Sequence, residues 1–301
     1  MSLIEVAGLV KKFGTQTAVD GLSFDITPGR CLALLGPNGA GKTTTLRMLS
    51  GLLEPTAGTV RFTDHAGQDI RSLIGYLPQY PSFFNWMSGR EFLTFTAKLA
   101  RIPGKEAAKR TEEVLEKVGL KDAAKRKVGG YSGGMKQRLG LAQAVIHRPK
   151  LLILDEPVSA LDPQGRREVL ELMREMKRET TILFSTHVLH DVEEISEEVI
   201  IMNKGRIIMQ GDLQQVMQEH QQPLIRVKAR GLPVDWLRGL REEPFVRELI
   251  ESADGFTAHV TDLARARSSL LRSIADLGLE VERFEVGTTS LEDLFLKVVN
   301  V

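Results

Sequence analysis

Gly36-Pro37-Asn38-Gly39-Ala40-Gly41-Lys42-Thr43 meets every fixed position of the pattern G-x-x-x-x-G-K-[ST]. Its flanks contrast. Before it, Cys31-Leu32-Ala33-Leu34-Leu35 is an unbroken apolar run suited to a buried parallel strand. After it, residues 44–50 read as a helix stopped by Gly51, with the helix N-terminus facing the loop. Small residues let backbone N–H groups turn inward, so a strand, glycine loop and helix in this order can cradle a triphosphate. Lys42 then supplies a point charge for the β- and γ-phosphates, and the Thr43 hydroxyl is a ligand for Mg²⁺.

The rest of the chain agrees with an α/β fold. Residues 3–11 and 18–26 alternate apolar and polar about Gly14, as an antiparallel ribbon does. Short strands are expected at 58–62 and 74–78, and helices at 91–100 and 105–118. A helix at 135–147, stopped by Pro149, precedes a buried strand at 151–154. Helices at 164–178 and 188–196 then alternate with strands at 181–184 and 199–202, and Asn203-Lys204-Gly205 turns into 207–210. Such alternation implies a mostly parallel sheet wrapped by helices, with the antiparallel ribbon along its edge. The polar stretch 218–223 ends in Pro223 and reads as a linker. Beyond it, strand signals at 224–229, 245–251, 255–260 and 279–286 mix with helix signals at 234–240, 263–277 and 290–299. The basic run 121–127 reads as a solvated helix face, and His147 and His190 as surface residues.

Bulk properties exclude some functions. The 301 residues are 42% hydrophobic and 26% charged with a formal net charge of +1, so no basic field is available for nucleic acid or an anionic membrane. No signal peptide is evident, and no apolar run approaches the roughly 18 residues that span a bilayer. Single Cys31 falls in the expected core strand, which points to a reducing compartment.

Two further motifs narrow the chemistry. Leu151-Leu152-Ile153-Leu154-Asp155-Glu156-Pro157 carries two carboxylates at the C-terminal end of a strand, where open α/β sheets hold their ligands. There Asp155 can hold Mg²⁺ through water, and Glu156 can orient and deprotonate an attacking water. Ser132-Gly133-Gly134 opens a helix and is a second anion site of hydroxyl, bare amides and dipole.

A chain with two helix-end phosphate sites resembles the nucleotide-binding subunits of ABC transporters, over roughly residues 2–215. The resemblance implies a P-loop ATPase core in residues 1–217, with a mostly parallel sheet, an antiparallel β subdomain and a helical subdomain at about 81–148. Residues 223–301 are left as a small α+β domain. Walker A is then residues 36–43 followed by Thr44, and Walker B is residues 151–155, with Glu156 as catalytic base. Gln79 matches the Q-loop glutamine, a contact of Mg²⁺ and of the attacking water, and Asp162 closes the D-loop. His187 matches the switch histidine at the γ-phosphate, and Phe13 falls where an aromatic stacks on adenine. In this family the Ser-Gly-Gly of one subunit caps the γ-phosphate held by the other, so Ser132, Gly133 and Gly134 would serve a partner's ATP. Phe13, Tyr131, Met135 and Val158 depart from the commoner residues, and none of them touches the phosphate chemistry.

The ending Thr288-Thr289-Ser290-Leu291-Glu292-Asp293-Leu294-Phe295-Leu296 is similar to that of ATPase subunits of ABC-2-type exporters. The expected function is an ATP-hydrolysing motor that pairs head-to-tail with a second copy or a homologous subunit around two ATP. It would drive a separate membrane permease from the cytoplasmic face, with no nucleic acid partner. An importer ATPase or a non-transport ABC ATPase is the alternative. Lastly, Pro81-Ser82-Phe83-Phe84-Asn85-Trp86-Met87 packs aromatics into an expected loop, either to be buried under the helical region or to dock the permease.

Overall fold

The alternating N-terminal runs form β1 (Ile4–Phe13) and β2 (Gln16–Ile26), paired antiparallel. They do so in the computed structural model of the chain, which describes residues 2–63, 69–229 and 231–299. The ribbon has a third member. β4 (Ala57–Phe62) pairs with β1, giving a separate sheet of order β2-β1-β4 in place of a two-stranded edge. Its inward residues Ile4, Val6, Leu22 and Phe24 pack with Leu46 and Leu49 of α1 (Lys42–Leu49) and with Leu32 and Leu34.

Those last two residues belong to β3 (Cys31–Leu35), which is buried throughout. A strand apolar on both faces needs cover on both sides of its sheet. β3 lies inside a sheet with β5 (Ile74–Leu77), β6 (Leu151–Asp155), β7 (Thr181–Thr186), β8 (Glu198–Asn203) and β9 (Arg206–Asp212). The order is β5-β6-β7-β3-β8-β9, parallel except for the final β8-β9 hairpin. Register sets Asp155 opposite Ser185 and Leu35 opposite Thr186, so the functional ends of β3, β6 and β7 lie side by side.

Helices α2 (Gly89–Leu99), α3 (Gly104–Lys117) and α4 (Gly133–Val145) follow β5. Ser88 and Glu91 form a reciprocal capping box on α2. The basic run 121–127 is not a helix face: it is a series of turns, with Ala124 buried and Lys127 bridged to Ser88. His147 is likewise half-buried, its Nε2 3.0 Å from the Ile74 carbonyl oxygen, and burial lowers its pKa. Helices α5 (Pro163–Lys177) and α6 (Leu189–Ile195) complete the alternation with the sheet.

The chain divides into two compact units, Met1–Leu213 and Gln214–Val301. The stretch 218–223 is not an irregular linker, because α7 (Leu213–His220) runs through its first half and Pro223 opens β10 (Pro223–Ala229). Gln and Glu favour helix, and the proline becomes the first residue of a strand, where a missing N–H is tolerated. The second unit continues with α8 (Val234–Arg241), β11 (Val246–Ser252), β12 (Gly255–Val260), α9 (Leu263–Asp276), β13 (Val281–Thr288) and α10 (Leu291–Val299). Its antiparallel sheet has the order β11-β12-β10-β13, which with this succession is a ferredoxin-like β-α-β-β-α-β arrangement. Ile225, Val227, Phe256 and Ala258 meet Leu237, Leu240 and Leu270 of its helices. The start of α10 is tied down by Asp293, which accepts from the Ser290 amide and hydroxyl and pairs with Arg226.

One close approach fixes α4 on the sheet. A Cβ on Gly75 of β5 would lie 2.0 Å from the Ala144 carbonyl oxygen, and backbone cannot swing aside as a side chain can. Gly75→Ala should therefore melt at a lower temperature, with a loss of about 2 kcal/mol or more. A melting midpoint equal to the parent's would mean that α4 stands clear of β5.

Candidate functional site

The loop from Gly36 to Gly41 owes its shape to neighbouring backbone. A Cβ on Gly36 would meet the Met202 carbonyl oxygen at 2.5 Å, and one on Gly41 the Ala18 carbonyl oxygen at 2.6 Å. Gly39 and Gly41 also hold φ of 82° and 100°, where a side chain is strained. The Gly205 amide donates to the Ala40 carbonyl at 3.0 Å, so the β8-β9 turn braces the loop from behind. α1 then begins with no side-chain cap and no acidic residue in its first turn. Its N–H groups and dipole are left for an anion.

Lys42 is buried, its ammonium donating to the carbonyls of Gly36 and Pro37 at 2.8 and 3.2 Å and lying 3.7 Å from Glu156 Oε1. Burial lowers its pKa, and the carboxylates of Glu156 and Asp155 oppose that shift. Asp155, 1% exposed, accepts at Oδ1 from the Thr43 hydroxyl at 3.0 Å and the Ser185 hydroxyl at 2.7 Å. Burial pushes its pKa up, those two hydrogen bonds pull it down, and the Glu156 charge adds to the rise.

Glu156 holds a left-handed φ of 46°, and its amide donates to Ser185 Oγ at 2.9 Å. A non-glycine residue in that region stores of the order of 1 kcal/mol, which the surrounding contacts must sustain. The bend takes its side chain off the strand line toward three groups. Gln79 Nε2 donates to Oε2 at 3.0 Å, while Oε1 lies 3.3 Å from His187 Nδ1 and 3.7 Å from Lys42 Nζ.

A cavity of about 640 Å³ opens over this cluster, lined by residues 38–44, Gln79 and Glu156 and also by Gln16, Thr17, Ala18, Lys204 and Gly205. Phe13 is not in its wall. It is half-exposed at the end of β1, with the Lys11 ammonium 5.2 Å from its ring centre, beside Gln16 in the β1-β2 register. Ser132, Gly133, Gly134 and Asp162 share a different hollow, of about 450 Å³. Ser132 Oγ and Asp162 Oδ1 there cap α4 and α5, accepting from the Met135 and Gly165 amides at 3.3 and 3.0 Å. Thus one set of expected residues meets at Lys42, and the other assembles apart from it within this chain.

Sequence reading missed Ser185, whose hydroxyl joins Asp155 to the Glu156 backbone. A serine directly after the apolar run Ile182-Leu183-Phe184 was the available signal. It also missed the cavity-wall role of Gln16, Thr17, Lys204 and Gly205, which lie at two hairpin turns far apart in sequence.

Comparison with known proteins agrees with the geometry. The ABC transporter family matches residues 19–159, and the ATP-binding protein DrrA1-3-like C-terminal domain family matches residues 211–299. The uncharacterized ABC transporter ATP-binding protein YxlF of Bacillus subtilis (strain 168) is 48% identical over 298 residues, across 99% of this chain and 100% of its own. The bacitracin transport ATP-binding protein BcrA of Bacillus licheniformis is 33% identical across 99% of this chain and 97% of its own. A solved ATP-binding subunit of an ABC transporter superposes with a TM-score of 0.65 at 30% identity, over 72% of this chain and 93% of that one. The chain therefore belongs to the ATP-binding proteins of ABC transporters, is an enzyme that hydrolyses ATP, and is most like the ABC-2-type exporter group.

Proposed function

We propose that this protein is the motor subunit of a membrane exporter, closing head-to-tail with a second copy around two ATP and driving a separate permease. The observation that carries this reading is the separation of the two phosphate-type sites, one around Lys42 and one around Ser132. Gly133 and Gly134 have no neighbour within 4 Å of where a Cβ would stand, and neither has a positive φ. Among the described residues nothing requires glycine there. A triphosphate carried by a second copy, approaching bare backbone amides, supplies the reason. Likeness to a bacitracin transport protein and to the DrrA-type C-terminal family supports export.

In this reading Phe13 offers its ring to adenine, while the amides of residues 36–44 and Lys42 hold the phosphates. Among the described residues no group of three or more His, Cys, Asp or Glu side chains is fit to hold a metal. The hydroxyl of Thr43 beside the Asp155 carboxylate nevertheless fits Mg²⁺, which takes few protein ligands and completes its shell with phosphates and water. Bound there with Gln79 nearby, Mg²⁺ would neutralise phosphate charge. Glu156 accepts the proton of the attacking water, with Gln79 and His187 holding its two oxygens in place. His187 is exposed and meets the cavity-lining Glu156 through Nδ1, which leaves its other nitrogen for the γ-phosphate.

No helix among the described residues is long and apolar enough to cross a membrane. Attachment to the cytoplasmic face then rests on the permease. The aromatic segment after Gln79 is divided between the two roles open to it. Phe83 packs edge-on to buried Phe92 at 5.1 Å, whereas Phe84, 6.5 Å from Phe92, and Trp86 are 47% and 67% exposed, their rings tilted to each other at 5.9 Å. Phe95 extends that patch, 6.0 Å from Phe84. Aromatic anchors of this kind suit the centre of an interface, and we assign Phe84 and Trp86 to a permease helix.

Lys42→Ala should weaken ATP binding by about tenfold to a hundredfold, since it removes a buried cation placed to face the phosphates. Equilibrium titration that finds affinity within twofold of the parent would refute this. Glu156→Gln should slow hydrolysis by about a hundredfold or more while retaining ATP. It should also accumulate as an ATP-bound dimer in light scattering, and a strictly monomeric variant would sink the paired mechanism. Trp86→Ala should stay folded and bind ATP yet co-purify poorly with the permease; normal assembly would return the patch to ordinary surface.

A further inference from the structure

The buried carboxylate of Asp191 has no part in the chemistry above. It lies in the first turn of α6 at 0% exposure, where an unpaired charge is unsustainable. Its Oδ1 receives Arg166 through both Nε at 2.9 Å and Nη2 at 2.6 Å. Its Oδ2 accepts from the Thr186 hydroxyl at 3.3 Å, and that hydroxyl accepts in turn from the Val188 amide at 3.0 Å. These bonds hold the backbone on both sides of His187, whose own ring contact is the 3.3 Å approach to Glu156.

The other end of the brace lies at the second hollow. Arg166 sits one turn into α5, and its amide donates to the carbonyl of Asp162 at 2.9 Å. Asp162 caps that helix through Gly165, and residues 160–162 share their hollow with Ser132, Gly133 and Gly134. One guanidinium therefore joins the helix capped by Asp162 to Asp191 of α6, whose other oxygen takes the Thr186 hydroxyl just before His187.

We infer that Arg166 and Asp191 are positioning residues for ATP hydrolysis, holding residues 186–188 so that His187 meets Glu156 and tying that geometry to the loop ending at Asp162. The inference rests on the roles proposed above for His187 and Glu156. A brace of this kind acts on the rate of the chemical step and leaves ATP affinity alone, because neither residue lines the cavity around Lys42.

The test is steady-state ATPase kinetics on the full chain. Asp191→Asn, nearly isosteric, and Arg166→Ala should each lower kcat by about tenfold or more with KM within about twofold. Arg166→Lys should recover part of the loss. Thr186→Val removes the hydroxyl and leaves the ion pair in place, so it should show the same kcat defect even if the charge variants fold poorly. The decisive arm is a double-mutant cycle. In a His187→Ala background, Asp191→Asn should change kcat by less than about twofold, whereas a purely structural brace would add its full penalty again. Full additivity, a parent-like kcat in Asp191→Asn and Thr186→Val, or a matching loss of ATP affinity would overturn the inference. His187→Ala at the parent rate would instead overturn the underlying role of His187, and the brace with it. A slow His187→Ala beside a fast Asp191→Asn would overturn the brace alone.

Discussion

Everything at the Lys42 cavity hangs on one carboxylate. Asp155 is almost wholly buried, and its Oδ1 takes hydroxyls from two elements that are distant in sequence, Thr43 on α1 and Ser185 on β7. Those bonds fasten the start of the loop helix to the ends of two parallel strands. Ser185 then passes the constraint on, because its oxygen accepts the Glu156 amide and so fixes the bend that turns Glu156 toward Lys42, Gln79 and His187. The register of β6 against β7 thus sets the geometry of this cluster as well as that of the sheet. A slip by one residue would turn Ser185 to the opposite face and leave Asp155 without one of its two donors.

The electrostatics of the cluster point the same way. Burial makes the charged form of Asp155 expensive, so its pKa in the fold is raised. By linkage, the protonated carboxyl favours the folded state, and that contribution is lost as pH climbs through the raised value. A divalent cation at the Thr43 and Asp155 oxygens would reverse the balance by favouring the ionised form. Lys42 carries the opposite tension, since burial pushes its proton off and Glu156 and Asp155 hold it on. Two anions around one buried cation are a poor stability device and a good receptor for a charged ligand that arrives with its own counter-ion.

Much of this was legible in the chain itself, for a physical reason. The strands Cys31–Leu35 and Leu151–Asp155 are short apolar runs bounded by a glycine loop or by acidic residues, so period and punctuation agree. The C-terminal elements were legible within a few residues for the same reason. What escaped depends on neighbours brought together by folding. Ser185 matters only because β7 lies beside β6, and Gln16 and Lys204 only because two hairpins converge on one loop. Local reading also mistook composition for conformation twice. Polar residues 218–220 finish helix α7, and the basic stretch 121–127 is turn, pinned where Ala124 is buried and Lys127 bridges to Ser88.

Glycine carries two different arguments in this protein, and the contrast between them bears on how a complete nucleotide site is built. At positions 36 and 41 the absence of a side chain is demanded from within, since a Cβ would strike the carbonyls of Met202 and Ala18. At positions 133 and 134 a Cβ would meet open space, and the backbone needs no special conformation. The first pair makes a loop of fixed shape with its amides aimed at one cavity. The second pair places its amides in the first turn of α4, where the helix itself offers no acceptor. In the pairing proposed above, the first pair would hold a triphosphate and the second would meet the one carried by the partner. In that arrangement the loop ending at Asp162 would lie at the seam, and the Arg166–Asp191 bridge would join the helix it caps to the Thr186 hydroxyl beside His187.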